Sequence, residues 1–457
     1  MANIKTLIAR LLAVFAVISL TAQPVLAQSI NVLRDAETEA LLQDMIDPLA
    51  DAAGLGEGAV EIVLINDGSI NAFVAGGQRI FVHSGLINAA DHANEVEGVL
   101  AHELGHITGG HINRFSEGVG NASKISLLTT LLAVGAALAG GGEAAMGVMA
   151  AGQQAAMGSF LAFSRTQEAS ADAAGAQYLS DAGVSGRGSL AFFEKLQNYE
   201  FRRNVNQSQD REYSRTHPLS GNRIARLTED YVADPAWDTP TDPELEARFQ
   251  RAKAKLFGYL ATPERTLIAY PNYMTGAPAR YARAYAYHQS AQMDEALEEV
   301  DALIAMSPDD PYFLELKGQI LLESGKVEDA LPALRQATLL TGTNPLIATS
   351  LGHALIATED PAYLDEAESV LRAAVGRDHE NPFAWYQLGV VYGKRGDIPR
   401  ARLASAEQLV MQGNPQAALI NANAAENGLP AGSPDWIRAQ DVALQARGLL
   451  ERQRDRN

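Results

Sequence analysis

Val96-Glu97-Gly98-Val99-Leu100-Ala101-His102-Glu103-Leu104-Gly105-His106 decides how the first half of this chain folds. Val96, Val99, Leu100 and Leu104 recur at helical spacing, which predicts a helix over 94–113 with one buried apolar face. His102 and His106 then lie one turn apart on a single face, so both imidazoles can reach one zinc ion. Glu103 stands beside the first of them, placed to take a proton from a zinc-bound water. Two unrelated surface histidines would be the bland alternative; the helix, its apolar face and the export signal described below argue against it.

Zinc needs a third protein ligand. One class of such helices places a glycine and then a histidine three and six residues after the second histidine. Gly109 fits the first position, but Ile112 occupies the second and His111 comes one residue early. On a continuous helix His111 points about 140° away from His106, so it is read as a polar supporting residue and not as a ligand. A second class takes a glutamate from a later helix, with an aspartate one turn on. Glu168-Ala169-Ser170-Ala171-Asp172 has that form. Glu168 can be the third ligand, and Asp172 can accept the free imidazole N–H of a ligating histidine.

His217 sits in a polar loop, Thr216-His217-Pro218-Leu219. Three readings stand: a stabiliser of the oxyanion, an occupant of the fourth zinc position that holds the site closed, or a surface histidine. His83, His92, His288, His353 and His379 lack ligand-like spacing and read as structural. Arg165 and Arg215 could steady carboxylates or substrate, although no spacing demands it.

Upstream of the motif, 35–53 is predicted helical through Leu41, Leu42, Met45, Ile46 and Leu49. Residues 60–65, 70–75 and 79–83 are predicted strands, the last two forming a hairpin around Gly76-Gly77. Asn71, Ala72 and Phe73 precede that turn. They are either an ordinary core strand or an exposed one that pairs with an extended substrate backbone.

Downstream, Ile125 to Ala139 is almost wholly apolar, and an Ala/Met/Gly-rich stretch follows Gly140-Gly141-Gly142 up to Leu161. It reads as a buried helical hairpin, a mobile amphipathic flap or a membrane-surface segment. Helices are predicted over 164–200, broken at Gly183, over 221–231 and over 244–260, with proline-rich connectors at 234–243 and 261–278.

Beyond 278 the chain is periodic. Asp310-Pro311, Asn344-Pro345, Asn381-Pro382 and Asn414-Pro415 recur at spacings of 34, 37 and 33 residues, the longest holding the insertion Glu359-Asp360-Pro361. Two amphipathic helices fit each period, with small residues such as Gly318, Ala330 and Ala337 near the helix contacts. This is the pattern of tetratricopeptide repeats, whose stacking makes a concave surface for peptides or partner proteins.

The N-terminus reads as a secretory signal: Lys5 and Arg10, an apolar run from Leu11 to Leu20, and small residues at Val25 and Ala27. Cleavage after Ala27 removes two bases and no acids, so the net charge of −19 over 457 residues becomes −21 over 430. Export to a bacterial periplasm is the expectation. That acidity argues against nucleic acid as a partner. The chain has no cysteine, which excludes disulfides, thiol nucleophiles and Cys-based metal sites and leaves His, Asp and Glu as metal ligands. The expected division is a signal at 1–27, a metallopeptidase domain at 28–260, a linker at 261–278, repeats at 279–450 and a disordered tail at 451–457.

His-Glu-Leu-Gly-His-Ile-Thr-Gly-Gly-His from 102, the Asn-Ala-Phe before it and the Glu-Ala-Ser-Ala-Asp after it resemble the gluzincin peptidases related to HtpX and the CAAX prenyl proteases. With a signal peptide in front and repeats behind, the layout is similar to the BepA-type periplasmic metalloproteases of outer-membrane assembly and quality control. The resemblance implies a mainly α fold: an α+β gluzincin domain with a small sheet, followed by an α-helical solenoid. It implies one zinc per chain on His102, His106 and Glu168, with Glu103 as base. It also implies a regulatory histidine in a Thr-His-Pro loop, matched by His217. The expected activity is zinc-dependent endoproteolysis of misfolded or stalled outer-membrane proteins. The repeats would dock on the peptidase domain and on the outer-membrane assembly machinery, and 125–161 could touch a membrane peripherally. The rivals are a non-proteolytic assembly factor or chaperone with a structural zinc, and an intramembrane peptidase.

Overall fold

Asp35 opens the first described helix by accepting a hydrogen bond from the Thr38 amide. Helix α1 (Ala36–Ala52) buries Leu41, Leu42, Met45, Ile46 and Leu49, the face its spacing predicts. The structure is a computed structural model that describes residues 31–138, 142–202, 217 and 221–456; the expected signal at 1–27 lies outside the described residues.

Strands β1 (Glu61–Ile65), β2 (Ala72–Ala75) and β3 (Arg79–His83) form one sheet in the order β1-β3-β2. The predicted hairpin is present: β2 runs antiparallel to β3, and Gly76 and Gly77 turn the chain. β1 pairs parallel to β3 from its other side. The His83 amide donates to the Asn71 carbonyl at 3.0 Å. With that pair bonded, Phe73 also faces β3, and the backbone groups of Ala72 and Val74 point away from the ladder. Among the described residues β2 is therefore an edge strand.

Helices α2 (Ser84–Ala89) and α3 (Ala93–Thr108) follow, and α3 packs beneath the sheet. α3 ends five residues earlier than the expected 113. Gly110, at φ +62°, takes a left-handed turn that other residues resist, and a new helix α4 (His111–Leu138) begins after it. α4 and α5 (Gly142–Asp181) form a long antiparallel hairpin, with Gly118 against Phe163 and Gly152 against Thr129.

The hairpin corrects one of the three readings of 125–161. It is not buried: Leu127 is 63% exposed, Leu131 62% and Met146 74%. Among the described residues no helix is long and apolar enough to cross a membrane. The break expected near Gly183 separates α5 from α6 (Arg187–Arg202), and α7 (Gly221–Val232) and α8 (Pro243–Leu260) complete the first half. One core joins α1, the sheet, α3, α6 and α8.

Within 261–278 lies a short helix, α9 (Pro263–Ala269). Five helix pairs follow: α10 (Ala277–Gln289) with α11 (Met293–Met306), α12 (Pro311–Glu323) with α13 (Val327–Leu340), α14 (Pro345–Ala357) with α15 (Leu364–Arg377), α16 (Pro382–Lys394) with α17 (Ile398–Met411), and α18 (Pro415–Gly428) with α19 (Pro434–Arg456). The Asx-Pro dipeptides are their punctuation. Asp310, Asn344, Asn381 and Asn414 each cap a helix through the side chain, and the following proline takes the first helical position, where its missing N–H costs nothing. The insertion becomes a 3-10 turn, Pro361–Tyr363, capped by Asp360. α19 continues to Arg456, so the tail expected to be disordered from Glu451 is helical to that point.

The repeats meet the first half through buried charge. Lys255 of α8, only 3% exposed, lies 2.5 Å from Asp35 and 3.3 Å from Glu37. Arg251 bridges Glu37 and Asp310, the cap of α12, at 2.5 Å each. The Tyr281 hydroxyl of α10 donates to Glu37 at 2.8 Å.

Candidate metal centre

α3 can present His102 and His106 to α5 because the two helices nearly touch. A Cβ on Gly105 would lie 2.5 Å from the Ala171 carbonyl oxygen, so the glycine inside the motif is a packing requirement. Glu168 and Asp172 stand one turn apart on that part of α5, and His217 reaches in from the segment before α7.

The structure brings His102, His106, Glu168 and His217 together, all buried, with one donor atom of each within 4.8 Å of the others. His102 Nε2 is 3.1 Å from His106 Nε2 and 3.2 Å from His217 Nδ1. Glu168 oxygens lie 3.5 Å from His102 Nε2, 3.4 Å from His106 Nε2 and 3.3 Å from His217 Nδ1. Four ligands at zinc–nitrogen and zinc–oxygen distances have mutual separations of about 3.3–3.4 Å in a tetrahedron. The donor set and its spacing thus fit a metal ion.

The charges fit as well. Burial drives the His106 imidazolium down to about 2, helped by His102 and His217, so this ring is neutral. Burial works against ionised Glu168 too, but His102 and His217 outweigh it and hold the carboxyl well below its usual range. Burial also opposes charge on His102, yet Asp172 and Glu168 prevail and raise it to about 10. The carboxylates therefore favour a cation at this point, and a metal ion would compete with a proton for His102.

Around this cluster lie the groups that orient it. Asp172 is 3.0 Å from His102 Nδ1, the position expected of it. His111 Nδ1 lies 2.9 Å from His106 Nδ1. The expectation that His111 points away is corrected here: the turn at Gly110 interrupts the helix and swings it back. It is absent from the donor group, in keeping with a supporting role. Burial lowers the His111 pKa, so its neutral ring can accept a hydrogen bond from the His106 Nδ1–H while His106 Nε2 keeps a lone pair.

Arg223 of α7 is a site residue that no motif in the sequence marks. Its Nε and Nη2 each donate to Asp172 at 2.7 Å, and its Nη1 lies 3.0 Å from Glu168. The cation that steadies these carboxylates is thus Arg223; Arg165 is exposed and Arg215 lies outside the described residues. The sequence offers only a weak pointer to it: Arg223 follows the candidate His217 by six residues.

Glu103 is fully buried, and among the described residues neither carboxylate oxygen has a hydrogen-bond partner. His217 Nε2 lies 3.4 Å from its Oε1. Burial raises the Glu103 pKa. Such a carboxylate is suited to taking up a proton. Asn71, Ala72 and Phe73 belong to the edge strand and its approach, on the sheet that rests on α3.

Residues 36–230 match the model of Peptidase family M48, and residues 279–345 match a tetratricopeptide repeat. The chain carries a family M48 peptidase domain. The chain is 26% identical over 398 residues to the beta-barrel assembly-enhancing protease of Escherichia coli, covering 85% of this chain and 79% of that one. Similarity to the Yersinia pestis protein of that name is also 26%, over 403 residues and the same shares. To the metalloprotease LoiP of Escherichia coli it is 33% over 168 residues, 36% of this chain and 60% of LoiP. The M48 domain makes the chain a metalloendopeptidase, and the family implies a metal at this centre.

Proposed function

We propose that the chain is a periplasmic zinc endopeptidase that removes misfolded or stalled outer-membrane proteins during their assembly. In this reading His102, His106 and Glu168 would hold the zinc, and His217 would supply a further donor that keeps the site closed at rest. The observation that carries this reading is the buried cluster of His102, His106, Glu168 and His217, with one donor atom of each within 4.8 Å of the others and the buried carboxylate of Glu103 beside it. When bound, zinc polarises the scissile carbonyl and acidifies a coordinated water. Glu103 takes the water's proton and passes it to the leaving amine. Asp172 fixes the His102 tautomer. The outward backbone groups of Ala72 and Val74 pair with an extended substrate, which suits unfolded β-rich chains because it asks little of their side chains.

The repeats at 279–450 dock the peptidase domain, 28–260, on the assembly machinery. The similarity to beta-barrel assembly-enhancing proteases supports that placement. The exposed Leu and Met side chains of the hairpin α4–α5 suit a flap over the site that meets apolar segments of unfolded chains.

Glu103→Gln tests the central claim. Stoichiometric zinc by elemental analysis, with casein or misfolded-porin cleavage reduced by about 10²–10⁴-fold, is the expected result. Retained cleavage would refute the base assignment. Full rescue of an envelope-permeability defect by this variant would favour a non-proteolytic assembly factor.

A further inference from the structure

His83 ends β3 beneath the approach to the edge strand, and its buried ring serves no part of the metal centre. Ser69 Oγ and His83 Nδ1 share a 2.8 Å hydrogen bond, both side chains being buried. The bond closes a short loop. Asp67 Oδ1 accepts from the Ser69 amide at 2.7 Å, and the Asp67 carbonyl accepts from Ser84 Oγ and the Gly85 amide at 2.9 Å each. The His83 amide holds the Asn71 carbonyl, and the His83 ring meets Phe73 edge-on at 5.9 Å between centroids. The loop that hands the chain from β1 to β2 is thus pinned to the junction of β3 and α2.

We propose that Ser69 and His83 are positioning residues for substrate: their hydrogen bond fixes the register and rigidity of Asn71–Phe73, the strand on which the peptide is laid. The inference rests on the reading of β2 as the substrate strand. An edge strand paired on one side only frays readily, and each residue that frays must be reordered when a peptide binds. A buried side-chain hydrogen bond at the entry to that strand removes this cost before the substrate arrives. Its printed partners among the described residues lie outside the donor cluster and Glu103, so its loss should weaken peptide binding and leave turnover of bound peptide intact.

The experiment compares Ser69→Ala, His83→Asn and Val74→Pro in the zinc-loaded full chain, with an extended fluorogenic peptide and amide exchange over 70–75. Ser69→Ala should raise KM by about three- to tenfold, with kcat and zinc content unchanged and exchange faster over 70–75. His83→Asn keeps a polar atom near the position of Nδ1 and should hold KM closer to wild type than Ser69→Ala does. Wild-type KM and exchange in Ser69→Ala would overturn the proposal, as would a fall in kcat at constant KM. Val74→Pro deletes an outward amide. Unchanged KM in that variant would sink the substrate-strand reading itself; raised KM there with wild-type KM in Ser69→Ala would sink the positioning role alone.

Discussion

Arg223 grips Asp172 with two parallel hydrogen bonds of 2.7 Å and, with its remaining terminal nitrogen, lies 3.0 Å from Glu168. One planar cation thereby fixes a candidate ligand and the carboxylate that orients His102. Lysine keeps the charge and cannot reproduce the fork. Arg223→Lys should weaken metal affinity by about 10–100-fold, read by competition with a chromogenic chelator. Wild-type affinity would show that the fork is dispensable.

His217 Nδ1 lies as close to His102 and Glu168 as those two lie to each other. A fourth donor at that point occupies the position a substrate carbonyl or water would need. His217→Ala should therefore raise casein cleavage by about threefold or more, because a larger fraction of molecules is open. A fall in kcat would favour the oxyanion role.

Glu315 of α12 faces the buried charge between the repeats and the peptidase half. Burial raises its carboxyl to about 7; Lys255 opposes the rise, and Asp35 and Glu37 add to it. Its folded value is above the ordinary 4.5, so the stability it lends is complete below that pH and is lost as pH rises through about 7. Thermal melts from pH 5 to pH 8 should show a smaller decline in Glu315→Gln than in wild type. Equal slopes would rule out this origin.

Lys255 is the only cation described within 4 Å of Asp35, and it also meets Glu37. Lys255→Ala strands buried carboxylates and should cost about 3–5 kcal/mol, measured by urea unfolding. A loss below about 1 kcal/mol would mean that water or Arg251 compensates.

What the sequence made legible was local. Leu41 to Leu49, the hairpin at Gly76-Gly77 and the Asx-Pro caps each follow from spacing or backbone preference within a few residues. Glu168 and Asp172 could be set beside His102 because one helical turn separates them. His111 escapes helical spacing because the helix does not run through Gly109-Gly110, and one left-handed residue redirects everything after it. Arg223 was missed because its partners lie about 50 residues away, a separation no periodicity reaches. The exposure of Leu127 and Met146 was hidden for another reason: apolar composition states a need for cover and says nothing of where the cover is.

The lattice of Asp35, Glu37, Arg251, Lys255, Tyr281 and Asp310 bears on how this chain can be cut. Its cations come from α8, its acids from the entry to α1 and the cap of α12, and its hydroxyl from α10. A fragment ending near residue 260 would keep the whole metal centre and lose Tyr281 and Asp310, opening to water a face built for a dry interior. The isolated peptidase is therefore no miniature of the parent, and the repeats act as part of its scaffold as well as its reach.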